Sequence, residues 1–366
     1  MLYEDPNLTT ICQTIMDHLP VKSIIIVGSR ARGDHHHSSD YDIILVMRLI
    51  QAAVKMKRIK QVQNQLSNEL GINLSLNPLT PLQTRKTKGS LFFYKLKREG
   101  VTIAGPDHIE SLSISSLSDM PLEVFVSFLF SIVEKLVSTT RMGVDNELTP
   151  HPDGLNQITI SKCILQCGEL YLLLRGIYPN GFSDTVRLLD KLSDNASELN
   201  AICKDAKEAL EVINNTRDGQ SKDDSNWFNC RFHILNLTYM LFGLKGEPNT
   251  EKLEELTRSY VKSQGFLRIR NLQYFAMFVA LRRQFPWKVI LTLNHVERIM
   301  RIAVFWLMMG LRENQDLDVS AITRSENMLK RIMHFQSHTT NAEEHWLFLR
   351  ENILDRWRFS ETVLGI

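Results

Sequence analysis

The stretch Ile24–Val46, IIIVGSRARGDHHHSSDYDIILV, holds the residue types with the clearest chemistry in this chain. Asp40 and Asp42 stand two apart where a β-branched, apolar run begins. Strand side chains alternate between faces, so both carboxylates are expected to point the same way. Side by side they repel unless something positive lies between them. Their hard oxygens favour Mg²⁺ or Mn²⁺, ions that keep positions open for water and phosphate oxygens. Eleven residues before Asp40, the dipeptide Gly28-Ser29 ends another apolar run. Glycine allows a sharp turn and close approach of a ligand to the backbone. Ser29 adds a hydroxyl, and the N–H groups of a helical turn beginning there favour an anion. The chemistry expected of the set is a phosphate seat facing a metal-binding carboxylate pair.

Buried strands must hold these residues in place. Ser23–Val27 and Ile43–Met47 are continuous apolar runs, as expected of strands covered on both faces. Residues 50–70 read as a polar helix, Ile72–Leu76 alternates with period two, and Leu91–Leu96 is a further short β-like run. Strands alternating with helices up to about Pro106 predict an α/β or α+β unit. After Ser118 long amphipathic segments take over: Leu122–Thr139, Ile158–Tyr178, Ser197–Ile213, Trp227–Leu244, Lys252–Ser263, Leu267–Phe285, Val289–Leu311, Ala321–Phe335 and Ala342–Phe359. The predicted organisation is an α+β domain over residues 1–110, a helical domain over 118–245, and a helical part over 250–366 that forms a third domain or extends the same bundle.

Composition bounds the function. Of 366 residues, 43% are hydrophobic and 23% charged, which excludes wholesale disorder. No apolar run reaches the roughly 18 residues of a membrane span, so no membrane partner is expected. Phe125–Val133 and Ile302–Leu311 come closest and read as core helices. The opening MLYEDPNLTT has no basic region and does not read as a signal peptide. Five scattered cysteines (Cys12, Cys163, Cys167, Cys203, Cys230) fit a reduced, cytoplasmic interior. The net charge is only +2, yet Met47–Arg98 carries eleven Lys/Arg against one acid, Glu69. Such an excess suits a polyanion, and it equally suits a solvated helix face.

Gly28-Ser29-Arg30-Ala31-Arg32-Gly33-Asp34, followed by Ser39-Asp40-Tyr41-Asp42, closely resembles the signature of the DNA-polymerase-β-like nucleotidyltransferase superfamily in its bacterial and archaeal form. The resemblance implies a mixed-sheet nucleotidyltransferase domain followed by a large helical region. It also implies transfer of a nucleoside monophosphate from a nucleoside triphosphate, with ATP the expected one, to a hydroxyl on a small molecule, protein or RNA, with release of pyrophosphate. Gly28 and Ser29 would hold the β- and γ-phosphates. Asp40 and Asp42 would be catalytic and bind the metal. Arg30 and Arg32 would assist phosphate binding or brace the loop; Arg32 could instead pair with Asp34. Family members often close the cleft with helices, and here Ser161–Tyr178 fits that place, with Lys162 reaching the triphosphate. Tyr171 is either a stacking partner for the base or a core residue.

One departure from the family pattern bears on catalysis. Active members add a third carboxylate on a neighbouring strand, whereas Asn73, Ser75 and Asn77 occupy the polar face expected there. Glu99, Asp107 and Glu110 are the acids that could substitute. Two other readings therefore stay open: a catalytically weak, antitoxin-like or regulatory module, and a nucleic-acid-binding protein. His35-His36-His37 reads as an exposed loop. The set from Arg268 to Trp287, rich in Arg and aromatics, reads as core plus rim or as a nucleic-acid face.

Overall fold

A computed structural model describes residues 5–35, 39–80, 90–114, 116–142, 148–150, 154–193, 199–215, 225–244, 249–262, 296–312, 316–331 and 341–364. The chain divides into two compact units: residues 1–124 with 175–185, and residues 125–174 with 186–366.

The first unit is built on β1 (Ser23–Val27), β2 (Tyr41–Val46), β3 (Leu74–Leu79) and β4 (Val101–Ala104), in spatial order β3-β2-β1-β4. β2 and β3 run parallel, and the other pairings are antiparallel. The parallel pair needs a crossover, which α3 (Leu49–Leu70) supplies. On one face, α3 and α1 (Pro6–His18) bury Ile11, Ile15, Val62 and Leu66 against Ile24, Ile26, Ile43 and Leu45. On the other, α4 (Leu91–Glu99) and the loop after β4 bury Phe93, Leu96, Ile109 and Leu112 against Ile25, Ile44 and Val46. With both faces covered, the strands read as unbroken apolar runs.

Leu91–Leu96 departs from its β-like reading. Ser90 caps it as a helix by accepting the Phe93 N–H, and burial of Leu91, Phe93, Tyr94 and Leu96 follows a helical face. The fourth strand lies just beyond, after Gly100. Between β1 and β2, α2 (Gly28–Arg32) makes a single short turn of helix that ends at Gly33 in the left-handed region, φ 81°.

Among the described residues the second unit is helical apart from a small ribbon, Thr140–Met142 with Leu148–Pro150, and an isolated bridge between Leu311 and Leu317. Its helices are α5 (Leu122–Ser138), α6 (Gly154–Leu174), α7 (Phe182–Ser193), α8 (Asn200–Asn214), α9 (Ser225–Leu241), α10 (Thr250–Lys262), α11 (Val296–Gly310), α12 (Val319–Leu329) and α13 (Ala342–Leu364). α7 is the helix that sequence periodicity missed. Trp227, Trp306 and Trp346 lie fully buried, and the indoles of Trp227 and Trp346 donate to the Leu136 and Leu307 carbonyls at 3.2 and 2.9 Å. Both long apolar runs, within α5 and α11, are core, and among the described residues no helix is long and apolar enough to cross a membrane. Leu267–Phe285, the start of Val289–Leu311 and the Arg268–Trp287 set lie outside the described residues.

Candidate nucleotide site

The sheet brings the two halves of the signature together. β1 ends at Val27, and antiparallel register places Val27 beside Asp42. Gly28 follows with φ 74°, a left-handed conformation that glycine adopts without strain. A Cβ built there would stand 3.2 Å from Asp42 Oδ2, so the bare backbone of Gly28 is the wall against which that carboxylate rests. Asp42 is half-buried and shares its face with Ile44 and Val46, on the α4 side of the sheet. Asp40 precedes β2 and is exposed. Ser29 is half-buried in α2, and its carbonyl accepts the Gly33 and Asp34 N–H groups at 2.9 and 3.1 Å, which rounds the loop.

The two arginines of the signature make structural contacts. Arg30 is buried: Nε and Nη2 donate to the Ser39 carbonyl at 3.2 and 2.9 Å, Nη1 pairs with Asp5 at 3.2 Å, and the guanidinium lies 3.5 Å from the centre of the Tyr41 ring. Tyr41, on the face opposite Asp42, donates its hydroxyl to Asp5 at 2.8 Å. Arg30 thus clamps the end of the loop just before Asp40. Beside it lies a polar cavity of about 560 Å³, lined by Asp5, Asn7, His35 and Asn73 among others.

Arg32 ion-pairs with Glu99 at 2.6 Å and with Asp34 at 3.2 Å. Burial alone would lower its pKa, but the Glu99 and Asp34 carboxylates outweigh that and raise it. Tyr178, from the 175–185 segment, also donates to Glu99, so three segments of the first unit meet at this carboxylate. Glu99→Gln should leave a largely buried guanidinium short of charge and cost about 3 kcal/mol, measured by denaturant unfolding. Tyr178→Phe removes one hydrogen bond and should cost about 1 kcal/mol.

The neighbouring strand bears on the third carboxylate. Register sets Ser75 beside Asp42 and Asn77 beside Ile44. Asn77 Nδ2 donates to Ser75 Oγ at 3.0 Å. Asn73 lies before β3, where its carbonyl accepts the Tyr41 N–H at 2.8 Å and its residue lines the polar cavity. Ser75 therefore stands beside Asp42, with Asn73 just before the paired stretch. Among the substitutes, Glu99 is held by Arg32 and Tyr178, while Asp107 accepts from Thr102 Oγ1 and from the Ile109 N–H, which fixes the loop after β4. Glu110 is exposed, and its carbonyl accepts from Lys97.

Lys162 is an exposed residue of α6 in the second unit, and Tyr171 of the same helix is buried in that unit's core. Among the described residues no three His, Cys, Asp or Glu side chains gather into a cage for an ion. Two carboxylates, from Asp40 and Asp42, would be enough for Mg²⁺ or Mn²⁺, because such ions complete their shells with water and phosphate oxygens. All five cysteines are free. His35 is exposed, and His36 and His37 lie outside the described residues.

Residues 9–95 match the family model described as the nucleotidyltransferase domain. The first unit thus carries the nucleotidyltransferase domain over these residues. Among curated proteins no match was found. Among solved structures, the chain is similar to the spectinomycin adenyltransferase AAD(9) from Enterococcus faecialis, solved with ATP and spectinomycin: 13% identity over 63% of this chain and 98% of that one, TM-score 0.40. It is also similar to a toxin–antitoxin structure solved with AMP-PNP: 18% identity over 28% of this chain and 77% of that one, TM-score 0.22.

Proposed function

We propose that this protein transfers a nucleoside monophosphate, AMP from ATP, to a hydroxyl acceptor on a small molecule, a protein or RNA. The acceptor oxygen bonds to the α-phosphorus, the bond from that phosphorus to the β-phosphate oxygen breaks, and pyrophosphate leaves. The observation that carries the reading is the apposition of Gly28 and Asp42 at the end of the β1–β2 pair. It sets the bare backbone that would face the phosphates directly beside a carboxylate that would hold the metal. Gly28 and Ser29 would bind the β- and γ-phosphates, and Asp40 and Asp42 would hold Mg²⁺ or Mn²⁺. Bound there, the ion neutralises charge on the phosphates and lowers the pKa of the attacking hydroxyl. Arg30 and Arg32 act by fixing the loop. The test is release of pyrophosphate from ATP with acceptors of the three classes, in wild type and Asp42→Asn. Label from the α-phosphate should appear on one acceptor class with the wild type alone; release that is equal in both proteins would overturn the assignment.

A second reading, a slow or regulatory nucleotidyltransferase, is favoured by Ser75 beside Asp42. Serine brings no negative charge and no base to that position. Ser75→Asp should raise turnover about tenfold or more if the site lacks its third acid, since charge complementarity toward the metal is a large contribution to such sites. An unchanged or lower rate would mean that another carboxylate already fills the role.

A further inference from the structure

We propose that the solvent face of α3 binds the phosphate backbone of nucleic acid without sequence preference. From Ile43 to Asn68 the chain has no Asp or Glu. Arg48, Lys55, Lys57, Arg58 and Lys60 are all exposed, and none has a carboxylate partner among the described residues; Arg58 instead donates to His18 Nδ1 at 3.3 Å. At 100° per residue, Lys57, Lys60, Gln61, Asn64 and Asn68 fall on one side of the helix, opposite the buried Ile59, Val62 and Leu66. This side is about 16 Å long and presents only ammonium and amide groups.

That chemistry separates nucleic acid from an acidic protein. A protein interface has an apolar, aromatic-rich centre with charge at its rim. From Lys57 to Asn68 this side carries no apolar residue, and α3 contains no aromatic residue on which a base could stack. Lysine, glutamine and asparagine side chains are instead the donors that take phosphate oxygens and carry no sequence information. α3 packs on the sheet face of Ile43 and Leu45, whereas Asp42 shares the opposite face with Ile44 and Val46, so the exposed side of α3 is separate from Asp42. The proposal does not depend on nucleotidyl transfer.

The test is fluorescence anisotropy of the full chain with a mixed-sequence RNA of about 25 nucleotides, single-stranded and duplex, titrated over salt. Wild type should bind both forms, more weakly as salt rises. The double variant Lys57→Gln, Lys60→Gln should bind at least tenfold more weakly at low salt. Its log–log salt slope on the single strand should be shallower by about 1.4, at roughly 0.7 per lost contact. The same two lysines changed to arginine should keep wild-type binding, and both variants should keep the wild-type melting temperature and its rise with Mg²⁺ and ATP. No RNA binding by wild type, or equal binding by wild type and the glutamine variant, would overturn the proposal. So would a poly-glutamate chain of equal charge that binds as tightly as RNA, which would assign the face to an acidic protein segment.

Discussion

Asp42→Asn should abolish nucleotidyl transfer while leaving the protein folded. The change keeps the shape of the side chain and removes its charge. Asn can offer a carbonyl oxygen to a metal but cannot neutralise a divalent ion, so Asp40 alone would face the cation. Loss of about a thousandfold in rate, or about 4 kcal/mol of transition-state stabilisation, is the expected scale. The fold should tolerate it, because the core around β2 is made by Ile43 and Leu45 on one face and Ile44 and Val46 on the other. A nucleotide with its metal binds only the native state and should stabilise wild type by about 2.7 kcal/mol at a hundredfold excess over Kd. In Asp42→Asn that increment should vanish and the ligand-free melting temperature should stay close to wild type. A variant that keeps the full Mg²⁺–ATP shift would remove Asp42 from the site.

Much of this site was legible in the sequence because its parts are local. The apolar runs before Gly28 and after Asp42 are rich in β-branched residues and read as buried strands, and a buried strand fixes where its ends deliver the chain. That two such strands would be antiparallel neighbours, with Gly28 against Asp42, needs only the short loop between them. Arg32 and Glu99 are harder. They stand 67 residues apart in sequence, and only the packing of α4 and the 175–185 segment brings them together. Arg30 looked equally suited to phosphate; its partner Asp5 lies at the cap of α1, which no motif connects with the loop. Which residue stands beside Asp42 on the neighbouring strand also needed the fold. Period two in Ile72–Leu76 shows which residues share a face, but it does not fix the register against β2, and that register selects Ser75. Leu91–Leu96 misled because four of its six residues are buried, and a short apolar run has the same composition in either kind of element.

Gly28 and Gly33 form a matched pair that can separate backbone strain from the binding role. Both have positive φ, 74° and 81°, so alanine at either should cost about 1–2 kcal/mol of stability. Their surroundings differ. A Cβ at Gly33 meets nothing within 4 Å, whereas one at Gly28 meets Asp42 Oδ2 at 3.2 Å. Gly33→Ala should therefore lower the melting temperature and leave nucleotide affinity near wild type. Gly28→Ala should lower the melting temperature by a similar amount and also push the Asp42 carboxylate aside, weakening nucleotide binding tenfold or more. Gly28→Val adds two methyl groups over the same carboxylate and should remove binding altogether. Calorimetric titration of ATP with Mg²⁺ into all three, alongside their unfolding curves, makes the comparison. If Gly28→Val binds as well as Gly33→Ala, the phosphates lie elsewhere, and the left-handed turn at Gly28 serves only to carry the chain from β1 into α2.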